Sequence, residues 1–184
     1  MTEPHLYEPG PANLARALKD GEEKWTLVLV RELRHSPDKV WQALIDPAQL
    51  REWAPFVVNA SLGAVGTVNL TWVGNPAPIE TKVTRVEAPK ALEYGDIRWE
   101  LEASGSGTRL TLWTKIDRRF ISMGAAGWHI AFDVLDHLLS GTPIGRIAGG
   151  DAMKFAGWQR LNAEYAKQFG VKAPNWPPQA AQKS

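Results

Sequence analysis

The sequence predicts an α+β domain in which a curved antiparallel sheet of about six to seven strands wraps around a long C-terminal helix, with two short helices after the first strand. Three observations support this prediction. Between residues 57 and 116 the chain runs through short alternating stretches separated by turn residues, a pattern typical of antiparallel strands. Two short helical segments precede that region, and a long segment with an apolar arc follows it. Because an antiparallel sheet must cover its apolar face, we expect the long helix to lie across it.

The composition is that of an ordinary globular chain. Its 184 residues, 44% hydrophobic and 22% charged, fit one domain with or without tails and exclude a largely disordered protein. Twenty-one basic and twenty acidic residues argue against a nucleic-acid partner, which needs a concentrated basic surface. The absence of cysteine excludes a disulfide scaffold and a cysteine-ligated metal. No signal-peptide core and no apolar run of about 18 residues is present, so we expect a cytoplasmic protein without a membrane span.

Three regions follow from this pattern. Residues 1–23 form an N-terminal arm that is rich in proline and has a weak helical pattern around residues 14–18. The sequence leaves open whether this arm is disordered or lies as a strap over the domain. Residues 24–170 form the domain. Residues 171–184 contain three prolines and no acidic residue, which predicts a disordered tail.

The first ordered elements have clear boundaries. Residues 25–33 are β-branched and apolar, which predicts a well-buried strand. Ser36 and Pro37 then provide an N-cap and a first helical residue, and apolar side chains recur at helical spacing up to Ile45. Asp46-Pro47 ends that helix and begins a second short one, which stops before Pro55.

Strands and then helices fill the remainder. The predicted strands are residues 57–62, 67–73, 79–86, 92–94, 97–102 and 108–116. Residues 125–140 are predicted to form the long helix, because their apolar side chains fall in one broad arc. A glycine-rich joint at residues 141–150 leads to a second helix that Asp151 can cap and Gly170 ends.

Several strings within this order resemble a known family. They are Ser36-Pro37-Asp38-Lys39-Val40-Trp41-Gln42-Ala43-Leu44-Ile45-Asp46-Pro47, Leu50-Arg51-Glu52-Trp53, Gly107-Thr108-Arg109-Leu110-Thr111-Leu112 and Gly124-Ala125-Ala126-Gly127-Trp128-His129. Together they resemble the START-like (SRPBCC) superfamily with its helix-grip fold. Within it they are similar to the branch named after the C-terminal domain of the heat-shock-protein-90 ATPase activator. The resemblance covers about residues 24–170.

The resemblance implies a cavity between the sheet and the long helix that binds a small hydrophobic molecule, without a cofactor or a metal. One alternative is a chaperone-accessory or other protein-interaction module, although the arm is too short to supply the additional N-terminal domain of co-chaperones in this branch. The cavity candidates are mostly aromatic, with Arg119 as a possible contact for an anionic headgroup. They are Trp53, Phe56, Trp72, Tyr94, Trp99, Trp128, His129, Phe132 and Arg119.

A second alternative is an enzyme of cyclase or hydrolase type. His129, Asp133, Asp136 and His137 share one face of the long helix, and a histidine four residues from a carboxylate can form a general-base pair. The same spacing is also typical of a solvent-facing helix surface, and this face lies opposite the apolar arc. We therefore favour solvent exposure for these four residues, and the sequence assigns no catalytic residue.

Overall fold

The computed structural model describes residues 8–12, 15–154 and 156–174. They form one antiparallel sheet of eight strands in the order β1-β2-β8-β7-β6-β5-β4-β3. The strands are β1 (Ala15–Leu18), β2 (Lys24–Leu33), β3 (Phe56–Val58), β4 (Gly66–Trp72), β5 (Ile79–Glu87), β6 (Ala91–Tyr94), β7 (Ile97–Ser104) and β8 (Gly107–Asp117).

The helices occupy two places in the chain. The two short helices lie between β2 and β3, and the others follow β8 after a single 3-10 turn. They are α1 (Pro37–Ile45), α2 (Pro47–Trp53), α3 (Ile121–Leu139), α4 (Gly150–Met153) and α5 (Ala156–Phe169). None of the helices in the described ranges combines the length and apolar character that a membrane crossing requires.

The predicted fold class is confirmed, with one strand more than expected. The additional strand is β1, whose four residues pair with β2 from Ala15 opposite Leu29 to Leu18 opposite Thr26. The prediction of a weak helix here was wrong, because the free edge of β2 offers the segment backbone partners that its local sequence does not reveal. The predicted tail falls largely outside the described residues, since residues 175–184 are not among them.

The register of the central strands shows which side chains point into the core. β2 pairs with β8 over ten residues, which brings the first long strand and the last one side by side in the sheet. Their inward positions include Leu27, Leu29 and Leu112, all of which are at most 2% exposed. These side chains face α3, and α5 packs on the other side of α3. The long helix is therefore covered on two sides, and 12 of its 19 residues are buried.

Candidate functional site

A cavity of about 630 Å³ lies between the inner face of the sheet and the N-terminal half of α3. It is closed on a third side by the segment that follows α3. The strands and turns that line it contribute Lys24, Pro55, Leu70, Trp72, Ile79, Glu80, Thr81, Lys82, Tyr94, Gly95, Asp96, Ile97, Thr114, Lys115 and Ile116. The helical segments contribute Met123, Gly124, Gly127, Trp128, Ala148, Gly149, Ala152, Met153 and Trp158.

Two glycines of α3 determine how closely the sheet approaches this helix. Gly124 and Gly127 lie one turn apart and both line the cavity. A Cβ atom at Gly127 would meet no atom within 4 Å, so the missing side chain leaves open space. A Cβ atom at Gly124 would instead lie 2.4 Å from Cδ1 of Ile116, so this glycine allows β8 to approach the helix closely. The open space beside α3 thus follows from the missing side chain at Gly127, whereas Gly124 allows close packing.

Hydroxyl groups provide the polar part of the buried lining. Tyr94 is 1% exposed, and its hydroxyl oxygen accepts a hydrogen bond of 2.9 Å from Nε1 of Trp99. Burial raises the pKa of Tyr94 well above its ordinary value, so the phenol keeps its proton at neutral pH. Thr81 of β5 donates to the carbonyl oxygen of Ile79 at 3.0 Å, and Thr114 of β8 is buried and also belongs to the lining.

Charged side chains are confined to the rim. Lys24 and Asp96 form an ion pair of 3.7 Å, and both side chains are more than half exposed. Lys115 pairs at the same distance with Asp20, which lies outside the lining. Exposed pairs of this kind are screened by water and salt and contribute little free energy. The interior of the cavity is therefore apolar with a few hydroxyl groups, and the charged lining residues, three lysines and two carboxylates, lie at its mouth.

The aromatic candidates divide into two groups. Trp72, Tyr94 and Trp128 line the cavity. Trp53, Phe56, Trp99 and Phe132 are buried behind it and do not belong to the lining.

The second group packs against the first in edge-on and tilted geometries. The ring of Trp128 lies 5.6 Å from that of Trp99 and 6.3 Å from that of Phe56. Trp53 is fixed by a hydrogen bond of 3.0 Å from its Nε1 to the carbonyl oxygen of Ala43. Ring pairs at these distances add specific geometry to the burial of large apolar area. The cluster thus holds the cavity-facing rings in place.

Arg119 lies away from the cavity. Its side chain is 73% exposed and contacts both carboxylate oxygens of Asp117, at 3.0 Å from Nε and 2.8 Å from Nη2. These contacts, with the Arg119 backbone N–H, lower the pKa of Asp117 to about 2. Arg119 therefore closes a local turn after β8 and does not meet the candidate pocket.

His129 is buried between α3 and α5, and the prediction of a solvent-facing surface was wrong for it. Its side chain is 2% exposed, and Nδ1 lies 2.7 Å from the hydroxyl oxygen of Tyr165. Nε2 lies 3.7 Å from Oδ2 of Asp133, and Oδ1 of that carboxylate accepts a 2.6 Å hydrogen bond from Arg31. Burial lowers the pKa of His129 to about 4, so the ring is neutral at neutral pH.

The sequence analysis did not identify two residues, Arg31 beside the His129–Asp133 pair and Trp158 in the cavity wall. Arg31 points inward from β2 because it shares the parity of Leu27, Leu29 and Leu33, and this alternation was the signal that could have placed it against α3. Trp158 lines the cavity from α5. Its apolar position on the predicted second helix was visible, but the direction of the joint before that helix is set by tertiary packing.

Comparison with known families gives one match. The family described as activator of Hsp90 ATPase homolog 1-like protein matches residues 34–140, which is more than half of the chain. The matched region extends from the residue after β2 to the end of α3, so it includes the sheet strands and the helix that line most of the cavity. No curated protein matches the chain.

Solved structures of similar fold cover most of the chain at low identity. CalU16 from Micromonospora echinospora has a TM-score of 0.61 at 18% identity, covering 88% of this chain and 93% of its own. The conserved protein of unknown function EF2215 from Enterococcus faecalis has a TM-score of 0.60 at 19% identity, with 86% and 91% covered. DynU16, from the dynemicin biosynthetic locus, has a TM-score of 0.56 at 19% identity and covers 67% of this chain and 51% of its own. These likenesses establish the helix-grip fold.

Proposed function

Because the chain belongs to the activator of Hsp90 ATPase homolog 1-like family and contains an open cavity of about 630 Å³, we propose that it binds a small hydrophobic molecule between the sheet and α3. The observation that supports this proposal most directly is the open space beside Gly127. Cores are normally packed to the density of organic crystals, and a cavity of this size lined by apolar side chains is the usual form of a small-molecule site. An apolar ligand that enters it leaves water and gains contacts with the lining.

The lining supports an uncharged ligand that carries an oxygen acceptor. Its apolar walls include the rings of Trp72, Trp128 and Trp158, which would not compensate the desolvation of a charge. The phenol of Tyr94 keeps its proton and already accepts from Trp99, so its O–H can donate to a ligand carbonyl, ether or hydroxyl oxygen. Charged substituents of a ligand would remain at the rim, near Lys24 and Asp96.

The likeness to a protein from a biosynthetic locus agrees with a small-molecule ligand. The two alternatives have weaker support. An enzyme that uses His129 and Asp133 needs them at the cavity wall, whereas both lie outside its lining. A protein-interaction module, such as a chaperone accessory, needs a continuous apolar surface. The large exposed apolar side chains in the described residues belong to four separate segments: Leu18, Val65, Ile79 and Phe120. The cytoplasmic location and the domain bounds of 24–170 stay predictions.

The proposal can be tested by a substitution on α3 that fills the cavity with a larger side chain. A Gly127→Leu variant places a side chain in the open space, and Gly127→Ala is its matched control because one methyl group occupies little of the volume. The probe is Nile red, an uncharged dye with a carbonyl oxygen, titrated by fluorescence into each folded variant. We expect Gly127→Leu to weaken dye binding by at least about tenfold, roughly 1.4 kcal/mol, and Gly127→Ala to bind like the wild type.

Native mass spectra of freshly purified protein complete the test. A copurified mass that is present in the wild type and in Gly127→Ala, and absent from Gly127→Leu, would identify the natural ligand and its site together. Equal dye affinity in all three proteins would contradict the proposal, because the dye would then bind elsewhere.

A further inference from the structure

The N-terminal residues 8–12 contact the first turns of α5. Pro9 is buried, and its ring packs directly on the backbone of Gly157. A Cβ atom at Gly157 would lie 2.6 Å from both Cγ and Cδ of Pro9, a distance at which the two cannot coexist. Glycine at this position therefore allows the arm to contact the helix.

One ion pair on α5 binds the backbone of this segment. Nη2 of Arg160 donates to the carbonyl oxygens of Pro9 at 2.6 Å and Gly10 at 3.2 Å, and Nη1 donates to Glu164 at 3.0 Å. Oε1 of Glu164 accepts from the backbone N–H of Ala12 at 2.9 Å. Hydrogen bonds with a charged partner are the stronger ones in proteins, and here they join residues about 150 positions apart.

The turn of α5 that receives Pro9 also forms part of the cavity. Trp158 follows Gly157 directly, is 1% exposed and lines the cavity together with Ala152 and Met153 of α4. Two side-chain hydrogen bonds join α5 to α3 further along α5. Asn162 accepts from the hydroxyl group of Ser122, and the hydroxyl group of Tyr165 contacts His129. The arm is thus a polar attachment of the first turns of α5, close to the wall that Trp158 provides. A second attachment is the hydrogen bond of 3.4 Å from Nε2 of Gln159 to the carbonyl oxygen of Met153 in α4.

We propose that residues 8–12 form a strap that holds the beginning of α5 and Trp158 against the cavity, and that release of this strap opens the site to its ligand. The inference rests on the proposed function for what enters, but the opening itself is a property of the protein without ligand.

Two variants release the strap by different means. Gly157→Ala puts a methyl group where the Pro9 ring lies. Alanine favours a helix more than glycine does, so any loosening of α5 in this variant comes from the lost Pro9 contact and not from a weaker helix. Arg160→Gln removes the charged donor to both carbonyl oxygens. Lys167→Gln, which removes a charge from an exposed position on the same helix, is the matched control.

Hydrogen exchange of the ligand-free protein measures the opening directly. We expect both strap variants to exchange the amides of α4 and of Trp158 at least about tenfold faster than the wild type, while the middle of α3 and the Lys167→Gln control stay at the wild-type rate. In stopped-flow mixing with Nile red, both association and dissociation should accelerate by a similar factor.

Two results would overturn the inference. Unchanged exchange in α4 and at Trp158 in both variants would mean that the strap holds nothing at the cavity. A uniform acceleration that includes α3 and the end of α5 would mean that the arm stabilises the whole fold and does not gate the site. A protein that binds no dye would refute the proposed function, yet the exchange measurement would still decide whether the strap opens.

Discussion

Tyr94 is the residue on which the polarity of the cavity depends most. Its hydroxyl group is the acceptor for the buried indole N–H of Trp99, and in the proposed function it is the donor to the ligand. In a Tyr94→Phe variant the Trp99 N–H loses its partner, and a buried unsatisfied donor costs about 1–3 kcal/mol of unfolding free energy. We expect that loss in urea denaturation, together with a weakening of Nile red binding of about tenfold or less, since one neutral hydrogen bond contributes about 0.5–1.5 kcal/mol.

Tyr165→Phe provides the control for this prediction. It removes another buried tyrosine hydroxyl, the one that contacts His129, and Tyr165 lies outside the cavity lining. The control should lose stability and keep the dye affinity of the wild type. If the two variants weaken dye binding equally, the effect comes from general loosening and Tyr94 has no direct contact with the probe.

The two cavity-lining glycines of α3 should respond differently to the same substitution. In a helix interior alanine is more stable than glycine by about 0.5–1 kcal/mol. At Gly127 the new methyl group enters open space, so Gly127→Ala should gain that amount. At Gly124 it would lie 2.4 Å from Cδ1 of Ile116, which must move aside. Thermal unfolding should therefore show a smaller gain, or a loss, for Gly124→Ala. The same gain at both positions would mean that the helix does not approach β8 as closely as described.

At the level of elements, Asp46 joins the two short helices. It is the C-cap of α1, where its backbone N–H donates to Gln42, and the N-cap of α2, where its carboxylate accepts from the N–H of Ala48 at 3.0 Å. Asp46→Ala removes the side-chain cap and should cost about 1 kcal/mol of unfolding free energy, with Asp46→Asn close to the wild type because asparagine is an equally good N-cap. Chemical denaturation of the three proteins checks this, and equal losses in both variants would point to charge instead of capping.

Helices with such local signals were predictable from the sequence. The capping residues and prolines that begin α1 and α2 are adjacent in the chain, so the sequence placed these helices to within a residue or two. The alternation of β7 and β8 likewise placed their strands. Strand β1 was missed because its partner edge is distant in the chain. The face of α3 that carries His129 and Asp133 was assigned to solvent because spacing alone does not reveal that α5 and Arg31 cover it.

The cavity was predictable only in part, for a related reason. Trp72 and Trp99 both point inward on apolar strand faces and both contact aromatic rings, yet only Trp72 of the two lines the cavity. Whether an inward side chain meets atoms or space depends on what faces it across the interior. Here the lining across from the sheet includes Gly127 of α3, whose missing side chain leaves open space, and the packing that brings it there is a property of the folded chain.

At the scale of the whole molecule, His129 should make stability depend on pH. Its pKa is about 4 in the folded protein and 6.5 ordinarily, because burial disfavours the charged ring more than Asp133 favours it. The other charged groups that act on it are Arg31, Arg160 and Glu164. Since the unfolded chain binds the proton more tightly, the stabilisation is complete above about pH 6.5 and is lost as the pH falls towards 4.

The expected loss between pH 7 and pH 5 is on the order of 2 kcal/mol for this one group. Urea denaturation of the wild type at several pH values should show this decline. A His129→Asn variant, which keeps a polar atom near the position of Nδ1 for Tyr165, should be less stable at pH 7 and should decline much less steeply over the same interval. Parallel curves for the two proteins would mean that the His129 ring takes up its proton without opening the contact between α3 and α5. The pH dependence therefore tests the burial of His129 beneath α5, which is the same helix that carries Trp158 into the cavity wall.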